Sequence, residues 1–166
     1  MPEDYQIIDL TLTLPRNPNS PYTPRDMASI HWIVVHHSAG PPDQTPETIA
    51  RFHVETRGWS GIGYNHLIYE DGRIFAGRPL DVLPACVKGH NEESLCICFV
   101  GDFSSLPPSA TAMAAGVWLT RLLRNAYRRL SASAAIERCL TRPPHVPARR
   151  LTWRGTARRR ACSPDY

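Results

Sequence analysis

The sequence predicts an α/β domain with a single mixed central β-sheet flanked by helices. Three observations predict it. Ile33-Val34-Val35 is a β-branched apolar run of the length and composition of a buried strand. Leu95-Cys96-Ile97-Cys98-Phe99-Val100 is a second such run. Helical patterns at 45–57 and 109–130 separate and follow the strands, and the resulting order β-α-β-β-β-α packs around one sheet.

The first strand organises the rest. It ends in His36-His37-Ser38-Ala39-Gly40, so a stiff element delivers ring nitrogens to its own C-terminal edge, where α/β sheets gather ligands. Adjacent strand residues point to opposite faces, so His36 and His37 have different surroundings. Residues 1–29, rich in Pro, Asn and Thr, read as an N-terminal arm with one short strand near Ile7-Ile8. Residues 30–166 read as the domain itself.

Thr45-Pro46-Glu47-Thr48 is a helix start, with an N-cap threonine, proline at the first helical position and an acid in the first turn. Ile49, Phe52 and His53 fall on one face, and Gly58 marks the stop. Gly58, Gly61 and Gly63 then lead into a strand from Tyr64 to Tyr69. Asp71-Gly72 makes a hairpin turn into Arg73-Ile74-Phe75. From Ser109 to Leu130, Met113, Trp118, Leu119, Leu122, Leu123, Ala126, Tyr127 and Leu130 recur at helical spacing, with Arg121, Arg124, Arg128 and Arg129 on the other face.

With 166 residues, 42% hydrophobic and 20% charged, the composition is that of one soluble globular domain. No stretch has the length and apolarity of a membrane span, and the acidic start Met1-Pro2-Glu3-Asp4 lacks a signal core. The net charge of +4 hides a split. Residues 1–120 carry seven basic and thirteen acidic side chains, whereas 121–166 carry twelve arginines and two acids. That tail fits a partner bearing phosphates or carboxylates, or a solvated surface. A nucleic-acid surface needs aromatics interleaved with the basic residues, and only Trp153 serves. Five cysteines, Cys86, Cys96, Cys98, Cys139 and Cys162, make an odd count without a disulfide-scaffold pattern. A cysteine lying beyond a histidine reads better as a metal ligand or a small buried residue, and a Cys86–Cys139 pair stays open.

Four stretches together resemble the type 2 N-acetylmuramoyl-L-alanine amidases, a group that includes phage lysozyme-amidases and peptidoglycan recognition proteins. They are Val34 to Ala39; Gly58-Trp59 through Ile62-Gly63-Tyr64-Asn65; Asp71 to Ile74 with Gly77-Arg78-Pro79; and Gly89-His90-Asn91 through Ser94 to Phe103. They occur in the family's order and at its spacing. The resemblance implies a catalytic Zn²⁺ held by His36, His145 and Cys162. Three protein ligands leave one tetrahedral position open, the catalytic rather than the structural pattern. It implies Tyr64 and Arg160 as catalytic residues, the arginine in an electrostatic role only, since it stays charged. It implies His37, Trp59 and Asn91 as groove residues.

The implied activity is hydrolysis of the amide between N-acetylmuramic acid and L-alanine in peptidoglycan, by a monomer acting on the cell wall in the manner of an endolysin or a secreted domain. Its partner is a muramyl peptide, with neither nucleic acid nor membrane involved. The alternative is a recognition module of the same fold that binds muropeptide without cutting it. The chain departs from the family pattern at four places. Cys86 stands where histidine is common, and Cys96 where glycine is usual. The gap from His145 to Cys162 is long, and Cys162 is followed by Ser163-Pro164 rather than Pro-Gly.

Overall fold

The computed structural model describes residues 5–127 and the backbone of 134–135. Six strands form one mixed sheet: β1 (Ile7–Asp9), β2 (Trp32–His37), β3 (His66–Ile68), β4 (Ile74–Ala76), β5 (Ser94–Phe99) and β6 (Ala134–Ala135), in the spatial order β1-β4-β3-β5-β2-β6. All neighbours run parallel except the β3–β4 hairpin. Among the described residues, two α-helices pack on the sheet, α1 (Pro46–Arg51) and α2 (Ala110–Ala126), and a 3-10 turn, Met27–Ser29, precedes β2. The expected fold class and element order hold. The predicted strand 64–69 contracts to β3, because Tyr64 and Asn65 peel away to pair with the chain around Gly77 and Arg78.

Strand alternation divides the sheet into two faces. Ile33, Leu95, Ile97, Phe99, Ile68 and Ile74 pack on α2 through Ala112, Ala115, Leu119 and Leu123. On the opposite face, Leu67 and Val100 pack with Ile49, Ala50, Ile62 and Tyr69 beneath α1. Register pairs Val34 with Cys96 and His36 with Cys98. The alternation therefore places all four of those residues on the α1 face.

The buried stripe of α2 differs from the predicted one. Ala112, Ala115, Gly116, Leu119 and Leu123 are buried, whereas Met113 and Leu122 are 42% exposed. The small residues let the helix lie close to the sheet: a Cβ at position 116 would come within 2.6 Å of the Phe99 ring. The helix expected to reach Leu130 is described only as far as Tyr127; Arg128, Arg129 and Leu130 lie outside the described residues.

Helix α1 starts as predicted, the Thr45 hydroxyl accepting from the Thr48 N–H with Pro46 at the first position. It then widens into a single π-helical turn, Phe52–Thr56, before Gly58 ends it at φ +67°. Widening breaks the helical period, so Phe52 swings out to 46% exposure while His53 stays buried. The predicted shared face of Ile49, Phe52 and His53 therefore loses Phe52.

The arm does more than cross the surface. β1 pairs with β4, and Arg16 and Pro24 bridge to Gly61 and Val82. Arg25, 8% exposed, donates to the carbonyls of Leu80 (2.7 Å), Asn91 (3.1 Å), Glu92 (3.4 Å) and Ser94 (2.6 Å). One guanidinium thus ties the arm, the 80–94 loop and the start of β5 together, and burial lowers its pKa to about 10. Arg25→Ala leaves those carbonyls without a donor in a dry setting. We expect a loss of about 3 kcal/mol in urea unfolding. Unfolding unchanged within ~0.5 kcal/mol would show that water replaces the guanidinium.

Candidate functional site

His36 occupies the C-terminal edge of β2 on the α1 face. Its Nε2 is buried and has no hydrogen-bond partner. Burial, with the neighbouring His37 adding a smaller effect, lowers its pKa to about 4, so the ring is neutral at pH 7. A neutral imidazole with a bare ring nitrogen is a metal ligand or a hydrogen-bonding partner for a bound molecule.

Rings surround it. Tyr64 lies 5.8 Å from His36, centroid to centroid, and 5.4 Å edge-on from His53. His53 stacks on Trp59 at 4.6 Å. The Nδ1 of His53 accepts the Gly63 N–H at 3.1 Å, which fixes the loop carrying Tyr64. Gly63 is required there: a side chain would run into the Ala85 carbonyl and the Trp59 ring. The predicted Tyr64 is thus set beside His36, and Trp59 is stacked behind it, by a histidine that sequence reasoning assigned only to a helix face. A buried polar residue on an apolar stripe was the available signal.

The two adjacent histidines diverge as strand geometry requires. His37 turns to the other side, where its Nδ1 accepts the Phe103 N–H at 3.0 Å and lies 3.8 Å from the Asp102 carboxylate. Nearby, a shallow cleft between the β2 exit and the loop after β5 is lined by Ala39, Pro41, Pro42, Phe103, Leu106 and Pro107.

Asn91 serves the loop that follows Pro84. Its Oδ1 accepts from the N–H groups of Cys86 (3.0 Å) and Val87 (2.9 Å). Asn65, fully buried, does the same for β5: its Oδ1 accepts the Cys96 N–H at 3.0 Å, while its Nδ2 donates to the carbonyls of Arg78 and Pro79.

The cysteines bear on a question the sequence left open. Cys86 is joined to Cys96, with Cα atoms 6.5 Å apart, inside the range a disulfide spans. Cys86 thus has its partner among the described residues, and Cys139 lies outside them. Sequence spacing hid the pair because the Asn91-held loop folds back onto β5. The donor atoms of Cys86, Cys96 and His36 all lie within 4.8 Å of one another. Cys98 is free and fully buried; burial pushes its thiol up, and a hydrogen bond with the Tyr64 side chain acts in the opposite sense.

His145, Cys162 and Arg160 lie outside the described residues, as do Cys139 and the segment around Trp153. Among the described residues, the site thus consists of one of the three predicted zinc ligands, His36, a phenol beside it, a supporting His53–Trp59 stack, and a sulfur pair.

Comparison with known proteins places this arrangement. The family model described as N-acetylmuramoyl-L-alanine amidase matches residues 26–160. The chain is 32% identical over 145 residues to a peptidoglycan-recognition protein of Drosophila simulans, covering 81% of this chain and 77% of that protein. Other curated relatives align over about half of their length. Among solved structures, the Ph2119 endolysin of a Thermus scotoductus bacteriophage superposes with a TM-score of 0.63 at 36% identity, covering 76% of this chain and 82% of that one. The N-acetylmuramoyl-L-alanine amidase LysC of Clostridium intestinale gives a TM-score of 0.63 at 31% identity, covering 74% and 77% respectively. The match from Asp26 onward takes in the central strand, the ring cluster and the Asn91 loop, and the chain belongs to the N-acetylmuramoyl-L-alanine amidase family.

Proposed function

We propose that the chain is a zinc-dependent hydrolase that cleaves the amide bond between N-acetylmuramic acid and L-alanine in peptidoglycan. The observation that carries this reading is the buried, unpartnered Nε2 of His36 with the Tyr64 ring against it. A buried polar atom without a partner asks for one. The chemistry of a neutral imidazole, with those of His145 and Cys162, suits Zn²⁺. When bound, zinc polarises the scissile carbonyl and makes water a nucleophile near neutral pH.

The chain's own residues supply the rest. Tyr64 donates its hydroxyl to the substrate oxygen as negative charge grows there. Arg160 adds fixed positive charge and moves no proton. Trp59, held by the His53 stack, presents a flat wall to the muramyl peptide. Of the other two residues assigned to the groove, His37 acts from the far side of β2 through its bond to the Phe103 N–H, and Asn91 acts through the loop it ties down. In this reading the chain works as a monomer on the cell wall, and its substrate is its partner.

Tyr64→Phe keeps the ring and removes the donor. The expected outcome is a kcat on purified peptidoglycan lowered about 10²-fold with KM little changed. An unchanged kcat would leave Tyr64 a structural role, in its packing against His36 and His53 and its hydrogen bond with Cys98.

A second reading, a recognition module that binds muramyl peptide without cutting it, is favoured by the several relatives named as peptidoglycan recognition proteins. It differs in one product: no new amino termini appear when walls are incubated with the chain.

A further inference from the structure

We propose that Cys86, Cys96 and His36 form a redox-gated site for a thiophilic divalent metal ion. The site is closed while the two sulfurs are joined and opens when they are reduced. This site is distinct from the His36–His145–Cys162 set, and shares one ligand with it.

Three independent observations converge. The three donor atoms lie within 4.8 Å of one another, close enough for a single small ion to reach all of them after modest side-chain adjustment. The backbone under both sulfurs is held by side-chain amides rather than by the disulfide alone. Asn91 grips the Cys86 and Val87 N–H groups, and buried Asn65 grips the Cys96 N–H. Opening the sulfur bridge therefore leaves the thiols in place. The third donor residue, His36, has a buried and unpartnered Nε2, an unmet need that an ion satisfies. Two thiolates and an imidazole suit Zn²⁺, Co²⁺ or Cd²⁺ and not Mg²⁺ or Ca²⁺.

The chemistry balances with a dithiol as reductant. One thiolate of the dithiol attacks Cys86 Sγ, the less buried sulfur, and Cys96 leaves as a thiolate. The second thiol of the reductant then displaces Cys86. The dithiol ends as its own disulfide, having given two electrons, and both cysteines end reduced. The incoming divalent ion replaces the two thiol protons, which pass to solvent, and takes the lone pair of His36 Nε2. The reverse exchange, in which a small-molecule disulfide takes the two electrons and leaves as its dithiol, re-forms Cys86–Cys96 and ejects the ion by removing two of its three ligands. Metal binding here does not depend on the amidase reading. Its consequence does: loading the reduced site withdraws His36 from the ligand set of that reading, so a reducing environment switches hydrolysis off.

The test uses the full chain, stripped of metal, with Co²⁺ as probe and the thiolate-to-metal charge-transfer band as readout. Cys162→Ser provides the background free of the other thiolate ligand. Oxidised C162S is expected to show no such band. C162S treated with dithiothreitol and desalted under argon is expected to gain it at one equivalent of Co²⁺. Adding Cys86→Ser should abolish the band or weaken Co²⁺ binding more than about tenfold. Should C162S not fold, the wild-type band per bound Co²⁺ is compared before and after reduction, and an increase that Cys96→Ser removes carries the same conclusion. The proposal is overturned by a reduced C162S without a band, by loss of Cys86 that leaves both the band and the Co²⁺ affinity within about tenfold of C162S, or by a non-reducing digest lacking the Cys86–Cys96 linked peptide. Wall hydrolysis is not a readout, so a chain without amidase activity can still pass, and an active amidase can still fail.

Discussion

His36→Ala is expected to lower cleavage of the muramyl amide by more than about 10³-fold, matching the several kcal/mol of transition-state stabilisation that a lost catalytic metal forfeits. The same substitution leaves the stability of the metal-depleted chain within about 1 kcal/mol of wild type. The second half follows from the orphaned Nε2. A buried polar atom without a partner contributes a desolvation cost and no compensating bond, so its removal offsets much of the packing lost with the ring. Activity measured as amino termini released from purified walls, set beside urea unfolding, separates the roles. Lost stability with retained hydrolysis would make His36 a structural histidine of the sheet edge.

The second large effect is acid instability between pH 6.5 and 4 in the metal-depleted chain. His53 and His66 are 6% and 4% exposed, and burial lowers the pKa of each to about 4 from an ordinary 6.5. Arg57 and Arg78 lower His53 further, to a smaller degree than burial does. Over that pH window the unfolded chain binds protons that the folded chain does not. Stability therefore rises with pH, is complete above about 6.5, and is lost as pH falls through 4. Protonation would also cancel the acceptor that His53 Nδ1 offers the Gly63 N–H. The expected loss from pH 7 to 4.5 is roughly 2 kcal/mol for each histidine, a large share of an ordinary domain's stability. Urea unfolding at the two pH values reads it, and His66→Gln should remove about a third, because His36, lowered to about 4 by burial, titrates alongside the other two. A stability unchanged from pH 7 to 4.5 would mean that both rings take protons freely in the folded chain.

Much of this architecture was legible because local signals agreed with the global fold. The Thr45-Pro46-Glu47 start, the Gly58 stop and the Asp71-Gly72 turn each occur where local chemistry demands them. The strands at 32–37 and 94–99 follow from unbroken apolar runs that only a buried strand accommodates. What stayed hidden depends on contacts between distant residues. The Cys86–Cys96 pairing needs the loop that Asn91 ties down, and nothing in the ten-residue separation announces it. Arg25 looked like an arm residue, yet it binds carbonyls 55 to 69 residues away. The π-helical turn moved Phe52 out by breaking a period the sequence otherwise keeps. On α2, an alanine-and-glycine stripe won over the larger Met113 and Leu122 because Phe99 stands where bulk would go.

The site was legible in the same divided way. His36 and Tyr64 meet as their positions suggested, since a strand end and a glycine-bracketed loop lead to one sheet edge. His53, which holds that loop, was missed because its ring nitrogen bonds a backbone group ten residues away.

The most direct test of the central claim is to count zinc in the purified chain and to measure new amino termini released from purified peptidoglycan, with and without a chelator. The account predicts one zinc per chain and release of L-alanine amino termini that stops on chelation and returns when zinc is restored. A chain that binds walls tightly but frees no amino termini with zinc present, or frees them equally after zinc is removed, would contradict it.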